Sequence, residues 1–259
     1  DFMKVVILAG GLGSRISEES VVRPKPLVEI GGKPIIWHIM KIYSQYGLND
    51  FIICCGYKGY LIKEYFINYS LHTTDISVNV RTNKIKVHKK TTEPWNITLV
   101  DTGENSLTGD RIKRIEDYID NDFCLTYGDG VTSANIKETI KFHKKNKKLA
   151  TVLAVKPAGR FGAIDIEKDK VKKFLEKPKG EGGWINGGFF VLNKKIFKYI
   201  NTPPCIWEQE PLEKLSKNNQ LMAYKHDGFW YAMDTLRDKN YLEELWNSDT
   251  APWKIWDEK

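Results

Sequence analysis

The sequence predicts an α/β fold: a Rossmann-like, mostly parallel central sheet flanked by helices, with a small antiparallel insertion and a mixed α+β C-terminal part. Three observations carry this reading. Short continuous apolar runs recur through the first 155 residues, helical patterns alternate with them, and a glycine-rich loop follows the first run directly. The runs are Val5–Leu8, Phe51–Cys55, Phe123–Tyr127 and Thr151–Val155. They are continuous rather than alternating, which fits strands covered on both faces. The helical stretches are Ile35–Tyr46, Lys58–Tyr69, Asp110–Tyr118 and Asn135–Lys145. Such alternation builds right-handed βαβ units around a parallel sheet. Ligands of open sheets bind at the carboxyl ends of the strands. Gly10 and Asp129 each follow a strand, so both can face one crevice.

The stretch from Thr74 to Thr102 breaks the alternation. It reads as three extended pieces, Ile76–Val80, Lys84–His88 and Ile97–Thr102, expected to form an antiparallel insertion. It contains Trp95, expected to be exposed and available to a subunit contact. Extended runs return at Gly162–Ile166, Val171–Glu176, Ile185–Leu192 and Met222–His226, and a last helix is expected over Asp238–Asn247. Trp246, Trp253 and Trp256 are expected to pack against the body or a neighbour. The whole chain, 1–259, reads as one domain: a core over about 3–155, the insertion at 74–102, and a second part from 156 onward.

Apolar residues make up 41% of the chain and aromatics 12%, enough for a substantial core. No apolar run approaches the roughly 18 residues of a membrane span. No charged-then-apolar leader with a small-residue cleavage site is seen, and Met3 is expected to be the natural start. A soluble, cytoplasmic protein is expected. The four cysteines (54, 55, 124, 205) have no zinc-ligand spacing, and reduced, mostly buried thiols are expected. The net charge is +7. Lysine clusters over 84–90 and 141–148 could serve nucleic acid, but no recognition-helix or RNA-binding motif accompanies them. A solvated helix face accounts for the second cluster, and the excess charge favours a polyanionic small ligand such as a nucleoside triphosphate. The five histidines show no metal spacing, and His38 reads as a packing residue. With no Ser-His-Asp or Cys-His set, no covalent enzyme intermediate is expected.

The loop reads LAGGLGSR over Leu8–Arg15. Its three glycines allow a tight turn whose N–H groups converge on phosphate oxygens, although a turn without a ligand needs the same residues. Arg15 adds a planar charge that can fork two oxygens. The string Arg23-Pro24-Lys25-Pro26-Leu27 holds a lysine on a stiffened, non-helical segment. The loop is neither a Walker A site, lacking Gly-Lys-Ser/Thr, nor a dinucleotide fingerprint, since Ile16 replaces the last glycine. Asp129 and Asp234 each follow an extended apolar piece. Each reads alone as a turn aspartate. Two separated carboxylates at strand ends also hold Mg²⁺ when triphosphate oxygens complete the octahedron. Asn186-Gly187-Gly188 interrupts an apolar run, which marks a bulge or a close ligand approach.

LAGGLGSR together with RPKPLVEIGGKP resembles the signature of sugar-1-phosphate nucleotidyltransferases. The strings WHIMKIYSQYG, FIICCGYKG, EPWNITLVDTG, LTYGDGV, GRFGAIDI, FLEKPKG, INGGFFVLN, WEQEPL and GFWYAMDTLRD extend the likeness along nearly the whole chain. Together they resemble the bacterial glucose-1-phosphate cytidylyltransferases. The first loop is common to the superfamily, and the later strings are more specific to the cytidylyl branch.

The resemblance implies that CTP and α-D-glucose 1-phosphate give CDP-glucose and pyrophosphate, with Mg²⁺, for CDP-deoxysugar and surface polysaccharide synthesis in a homohexamer. It implies nucleotide contacts from Leu8, Ala9, Gly10, Gly11, Leu12, Gly13, Ser14, Arg15, Lys25, Ser106, Arg111 and Gly128. Within these, Ser106 and Arg111 would meet the base, although Arg111 also reads as a surface charge at a helix start. Catalytic roles fall to Arg15, Lys25 and Lys177, sugar-phosphate contacts to Gly162, Glu176, Lys177, Asn186 and Gly187, and the metal to Asp129 and Asp234. No nucleic-acid or membrane partner is expected. Another enzyme of the superfamily, with a different nucleotide or sugar phosphate, stays open. A non-catalytic sensing module also stays open, but it would tolerate loss of Arg15, Lys25 or Asp129, and all three are present.

Overall fold

A computed structural model of the chain describes residues 3–13, 16, 22–88, 92–157, 163–167, 170–175 and 183–257. Ser14, Arg15, Gly162, Glu176 and Lys177 lie outside the described residues. Strand β1 (Val5–Ala9) is the first apolar run, with all five residues buried. A 3-10 turn at Lys25–Leu27 and the two-residue strands β2 (Glu29–Ile30) and β3 (Lys33–Pro34) precede helix α1 (Ile35–Ser44). Then come β4 (Asp50–Cys55), α2 (Gly59–Ile67), the short α3 (Tyr69–Thr73), β5 (Ile76–Asn79), β6 (Lys84–Val87), β7 (Asn96–Asp101) and α4 (Thr108–Lys113). The next elements are β8 (Phe123–Tyr127), β9 (Gly130–Thr132), α5 (Ile136–Asn146), β10 (Ala150–Val155), β11 (Ala163–Glu167), β12 (Lys170–Leu175) and β13 (Ile185–Leu192). The chain finishes with α6 (Glu210–Lys217), β14 (Leu221–His226), β15 (Trp230–Ala232) and α7 (Leu236–Asn247).

Seven strands form the main sheet in the order β14-β10-β13-β8-β1-β4-β7. Only β13 runs against its neighbours, β8 and β10. The predicted mostly parallel sheet flanked by helices is therefore the observed one. Side chains alternate between two apolar layers, as the two-residue period of a strand requires. Val5, Ile7, Ala9, Ile53 and Cys55 face α1 and the C-terminal tryptophans. Val6, Leu8, Ile52 and Cys54 face Ile112, Phe197 and Trp207. The four thiols are free and buried, and burial pushes the Cys124 thiol up to about 12. Register pairs Leu8 with both Cys54 and Tyr127, so β1, β4 and β8 end at one edge. That edge is where the glycine loop and Asp129 emerge.

The stretch 74–102 divides. The hairpin β5–β6 is antiparallel, and all eight of its strand residues are exposed. β7 instead pairs in parallel with β4, from Asp50↔Asn96 to Cys55↔Asp101, and forms the sheet edge. A half-buried edge strand has the same local pattern as a free hairpin strand, and only its partner distinguishes them. Trp95, expected to be exposed, packs edge-on against Phe51 at 6.0 Å and is partly buried. The predicted helix 110–118 splits into α4 and a 3-10 turn at Glu116–Tyr118. Asn135 caps α5 by accepting the Glu138 N–H at 3.1 Å. Trp253 and Trp256 are buried against α1. Among the described residues, no helix is long and apolar enough to cross a membrane.

Candidate active site

A cavity of about 620 Å³ opens at the carboxyl ends of β1 and β8. Leu8, Ala9, Gly10, Gly11 and Gly13 line it from β1 and the loop after it, and Gly128 and Asp129 from the turn after β8. Lys25, Ser106, Arg111 and Asp234 also line it. Leu12 does not, and is 58% exposed. Asn186 and Gly187 stand outside the lining, reached through Tyr127.

Lys25 lies at the centre of the charged part. Pro24 holds an extended backbone before the short turn that carries Lys25, and Pro26 is buried behind it. The Lys25 Nζ donates to Asp129 Oδ2 at 2.6 Å and to Asp234 Oδ1 at 2.9 Å. Burial opposes the lysine's charge, but Asp129, by attraction and hydrogen bond, and then Asp234 outweigh it and raise its pKa. The carboxylates meet because β9 and β15 pair antiparallel, Ala232 against Gly130, with Met233 N–H donating to Asp129 O at 2.8 Å. Asp238 then fixes the Asp234 turn. Its Oδ2 accepts the N–H groups of Asp234 at 3.0 Å and Thr235 at 2.8 Å, and its Oδ1 accepts the Tyr231 hydroxyl at 3.0 Å. Among the described residues, no group of three or more His, Cys, Asp or Glu could hold a metal. Two carboxylates already converging on one cation suit a divalent ion whose other positions are filled by ligand oxygens and water.

Arg111 is buried, at 4% exposure, which removes the surface-charge reading. Its Nη2 donates to Gly10 O at 2.9 Å and Glu104 O at 3.1 Å. Its Nη1 donates to Gly103 O at 2.7 Å and Thr102 Oγ1 at 2.9 Å. The guanidinium thus ties the glycine loop to the loop between β7 and α4. A Cβ at residue 10 would lie 2.2 Å from Arg111 Nη1, so only glycine admits this clamp.

Sequence reasoning passed over Thr108, Tyr127, Glu208 and Asp238. Glu208 Oε1 accepts the Tyr127 hydroxyl and Oε2 the Thr108 hydroxyl, both at 2.6 Å. The Tyr127 oxygen accepts the Asn186 amide at 3.1 Å, and Asn186 Oδ1 accepts the Gly188 N–H at 2.8 Å. Burial and then Glu208 push the Tyr127 pKa far above its usual value, so its hydroxyl stays a donor. The Asn186-Gly187-Gly188 interruption is a bulge, where the β10–β13 register shifts. Gly188 has φ +74°, and a Cβ there would lie 2.4 Å from the Tyr127 ring. A signal for Asp238 exists in the sequence: Thr235-x-x-Asp238 before a helix is a capping box, and both of its bonds form. Glu208 has no such local signal.

The model of the nucleotidyl transferase family matches residues 4–238. The chain belongs to the nucleotidyl transferase family. It is 59% identical over 257 residues to the glucose-1-phosphate cytidylyltransferase of Salmonella typhi, covering 98% of this chain and all of that one. It is 43% identical over 256 residues to a Bacillus subtilis (strain 168) protein named probable glucose-1-phosphate cytidylyltransferase, with 98% and 100% covered. In fold it is similar to a solved UDP-glucose pyrophosphorylase from Acinetobacter baumannii, with TM-score 0.71 and 16% identity over 97% of this chain and 96% of that one. The cavity brings together a glycine loop, a half-buried lysine and a convergent carboxylate pair.

Proposed function

We propose that this protein joins CTP and α-D-glucose 1-phosphate into CDP-glucose and releases pyrophosphate. The observation that carries the reading is Lys25 held between Asp129 and Asp234 at the mouth of the glycine loop, in a chain 59% identical to a glucose-1-phosphate cytidylyltransferase. An oxygen of the sugar phosphate attacks the α-phosphorus of CTP. One P–O bond forms, the bond to the β-phosphate bridge breaks, and pyrophosphate leaves with the electron pair. Such transfer depends on positioning and charge neutralisation. The backbone after β1, with Arg15, would hold the β- and γ-phosphates. Lys25 would turn from the carboxylates to the α-phosphate as charge develops there. Asp129 and Asp234 would hold Mg²⁺, which when bound neutralises triphosphate oxygens. Lys177 would align the attacking phosphate, and Glu176, Asn186, Gly187 and Gly162 the hexose. Ser106 and Gly128 would border the nucleoside, while Arg111 acts by fixing the Gly10 carbonyl.

A cytoplasmic homohexamer supplying CDP-deoxysugar synthesis is part of the same proposal. An isolated two-stranded hairpin is marginal in water, and β5–β6 exposes Val78 and Ile85 on itself and Val80 beside it. Cover by a second copy supports that hairpin, and light scattering tests it. The activity is tested by pyrophosphate release with Mg²⁺ and glucose 1-phosphate across CTP, UTP, dTTP, ATP and GTP. Strong preference for CTP is expected. Preference for another nucleotide discards the cytidylyl reading.

A further inference from the structure

Glu208 faces the cavity without a charged partner. Both of its oxygens are taken by hydroxyls, and no cation pairs with it among the described residues. Glu208 is half-buried, and a neutral acceptor could take the same two hydroxyl bonds. The chain 205–208 that presents it is clamped onto α4. Cys205 N–H donates to Asp110 Oδ1 at 2.9 Å, Gly109 N–H to Cys205 O at 3.0 Å, and Trp207 N–H to Thr108 Oγ1 at 3.0 Å. Glu208 therefore joins two parts of the molecule: α4, beside Ser106 and Arg111, and the bulge of β13.

We propose that Glu208 is a positioning residue that sets hexose recognition, acting through Tyr127 on Asn186. The proposal rests on the function above, in which Asn186 meets the hexose. An ionised carboxylate can only accept hydrogen bonds. Tyr127 must therefore donate to Glu208, which leaves the Tyr127 oxygen as an acceptor. Asn186 must turn its NH₂ toward that oxygen, and the Gly188 N–H holds its carbonyl oxygen. One Asn186 N–H is left as a donor of fixed direction at an exposed position. Without the carboxylate, Tyr127 is free to turn its proton toward Asn186, and the Asn186 amide, still held through its oxygen by the Gly188 N–H, loses the acceptor that anchors its NH₂. On the other side, Thr108 accepts from Trp207 and so has its single proton for Glu208.

The test compares Glu208→Ala, Glu208→Gln and Tyr127→Phe in the full chain, with the unfolding transition of each recorded. CTP dissociation constants come from calorimetry, and KM and kcat from pyrophosphate release with glucose 1-phosphate and its 4-epimer, galactose 1-phosphate. Glu208→Ala and Tyr127→Phe are each expected to raise KM for glucose 1-phosphate by about tenfold or more and to narrow the preference over the epimer. CTP binding is expected to move by less than about threefold. Combining the two changes should add little, because both act on one chain of bonds. Glu208→Gln keeps an acceptor for Tyr127 and should recover part of the sugar KM. An unchanged sugar KM and epimer preference in folded Glu208→Ala or Tyr127→Phe overturns the proposal. So does a rise in the CTP dissociation constant equal to the rise in sugar KM. Wild type is measured first. If it turns over only with another substrate pair, the CTP–glucose reading fails, and the variants are then judged by the same criteria on the active pair.

Discussion

Lowering the pH from 7.5 to 5 should weaken this fold through one buried imidazole. His38 on α1 has no exposed surface. Its Nε2 lies 2.8 Å from Ile30 O, and its Nδ1 accepts the Trp253 indole N–H at 3.2 Å. Only the neutral ring with the proton on Nε2 satisfies both partners, since a second proton on Nδ1 would face the indole donor. Burial, only partly offset by the hydrogen bonds to Ile30 and Lys33, lowers its pKa from 6.5 to about 4. In this range the unfolded state binds more protons than the folded one. The stability from the neutral ring is thus complete above the unfolded value of 6.5 and is lost as pH falls toward 4. A shift of that size corresponds to about 3 kcal/mol in full, with about 2 kcal/mol of it gone by pH 5. The assay is urea unfolding at pH 7.5 and 5, at fixed protein concentration, for wild type and His38→Gln. Glutamine can donate to Ile30 O and accept from Trp253 without titrating, so the difference between the two proteins isolates His38 from the carboxylates. Equal loss of stability in both would refute the reasoning, as would a His38 pKa near 6.5 by NMR.

Lys25→Met should cut turnover by roughly 10²-fold or more, the loss typical of a charged transition-state contact. Without nucleotide it should also bind Mn²⁺ more tightly by electron paramagnetic resonance, since Asp129 and Asp234 lose their cation; turnover within threefold of wild type contradicts this role. Asp238→Ala removes the side-chain half of the α7 capping box and leaves the Thr235 cap in place, at a cost of about 1 kcal/mol. It also frees the Asp234 turn, so the Mg²⁺ concentration for half-activation should rise, and an unmoved metal titration would count against that linkage. Arg111→Lys keeps the charge but cannot fork to Gly10 O and Glu104 O. We expect a stability loss of about 2 kcal/mol and a higher KM for CTP; unaltered values for both would mean that the clamp does not shape the loop.

The strands of the sheet centre were legible because burial on both faces writes itself locally as an unbroken apolar run, as in Val5–Ala9. The glycine loop was legible because its turn needs residues that little else needs. The sequence groups β7 with the hairpin because Ile97–Val100 contains no mark of which strand it joins. The site shows the same division more sharply. Lys25 meets partners 104 and 209 residues away, through a ladder of only three residue pairs between β9 and β15. Three-residue strands carry almost no periodic signal, so Asp129 and Asp234 each read alone as a turn aspartate, and only the resemblance implies that they meet. Arg111 was ambiguous for a related reason. Its position near a helix start describes a solvated charge equally well, and the oxygens that surround it come from Gly10, Cys55 and residues 102–104, all on other strands' loops and ends. Glu208 lies further still from any local signal. A carboxylate beside Trp207 and Gln209 means nothing until Thr108 and Tyr127 are brought to it across 100 and 81 residues. Scaffold residues are selected by burial, which acts on every neighbour along the strand. Site residues are selected by partners that exist only after the scaffold has closed, and that is why direction along a hydrogen-bond chain, rather than residue type, carries the information at Glu208.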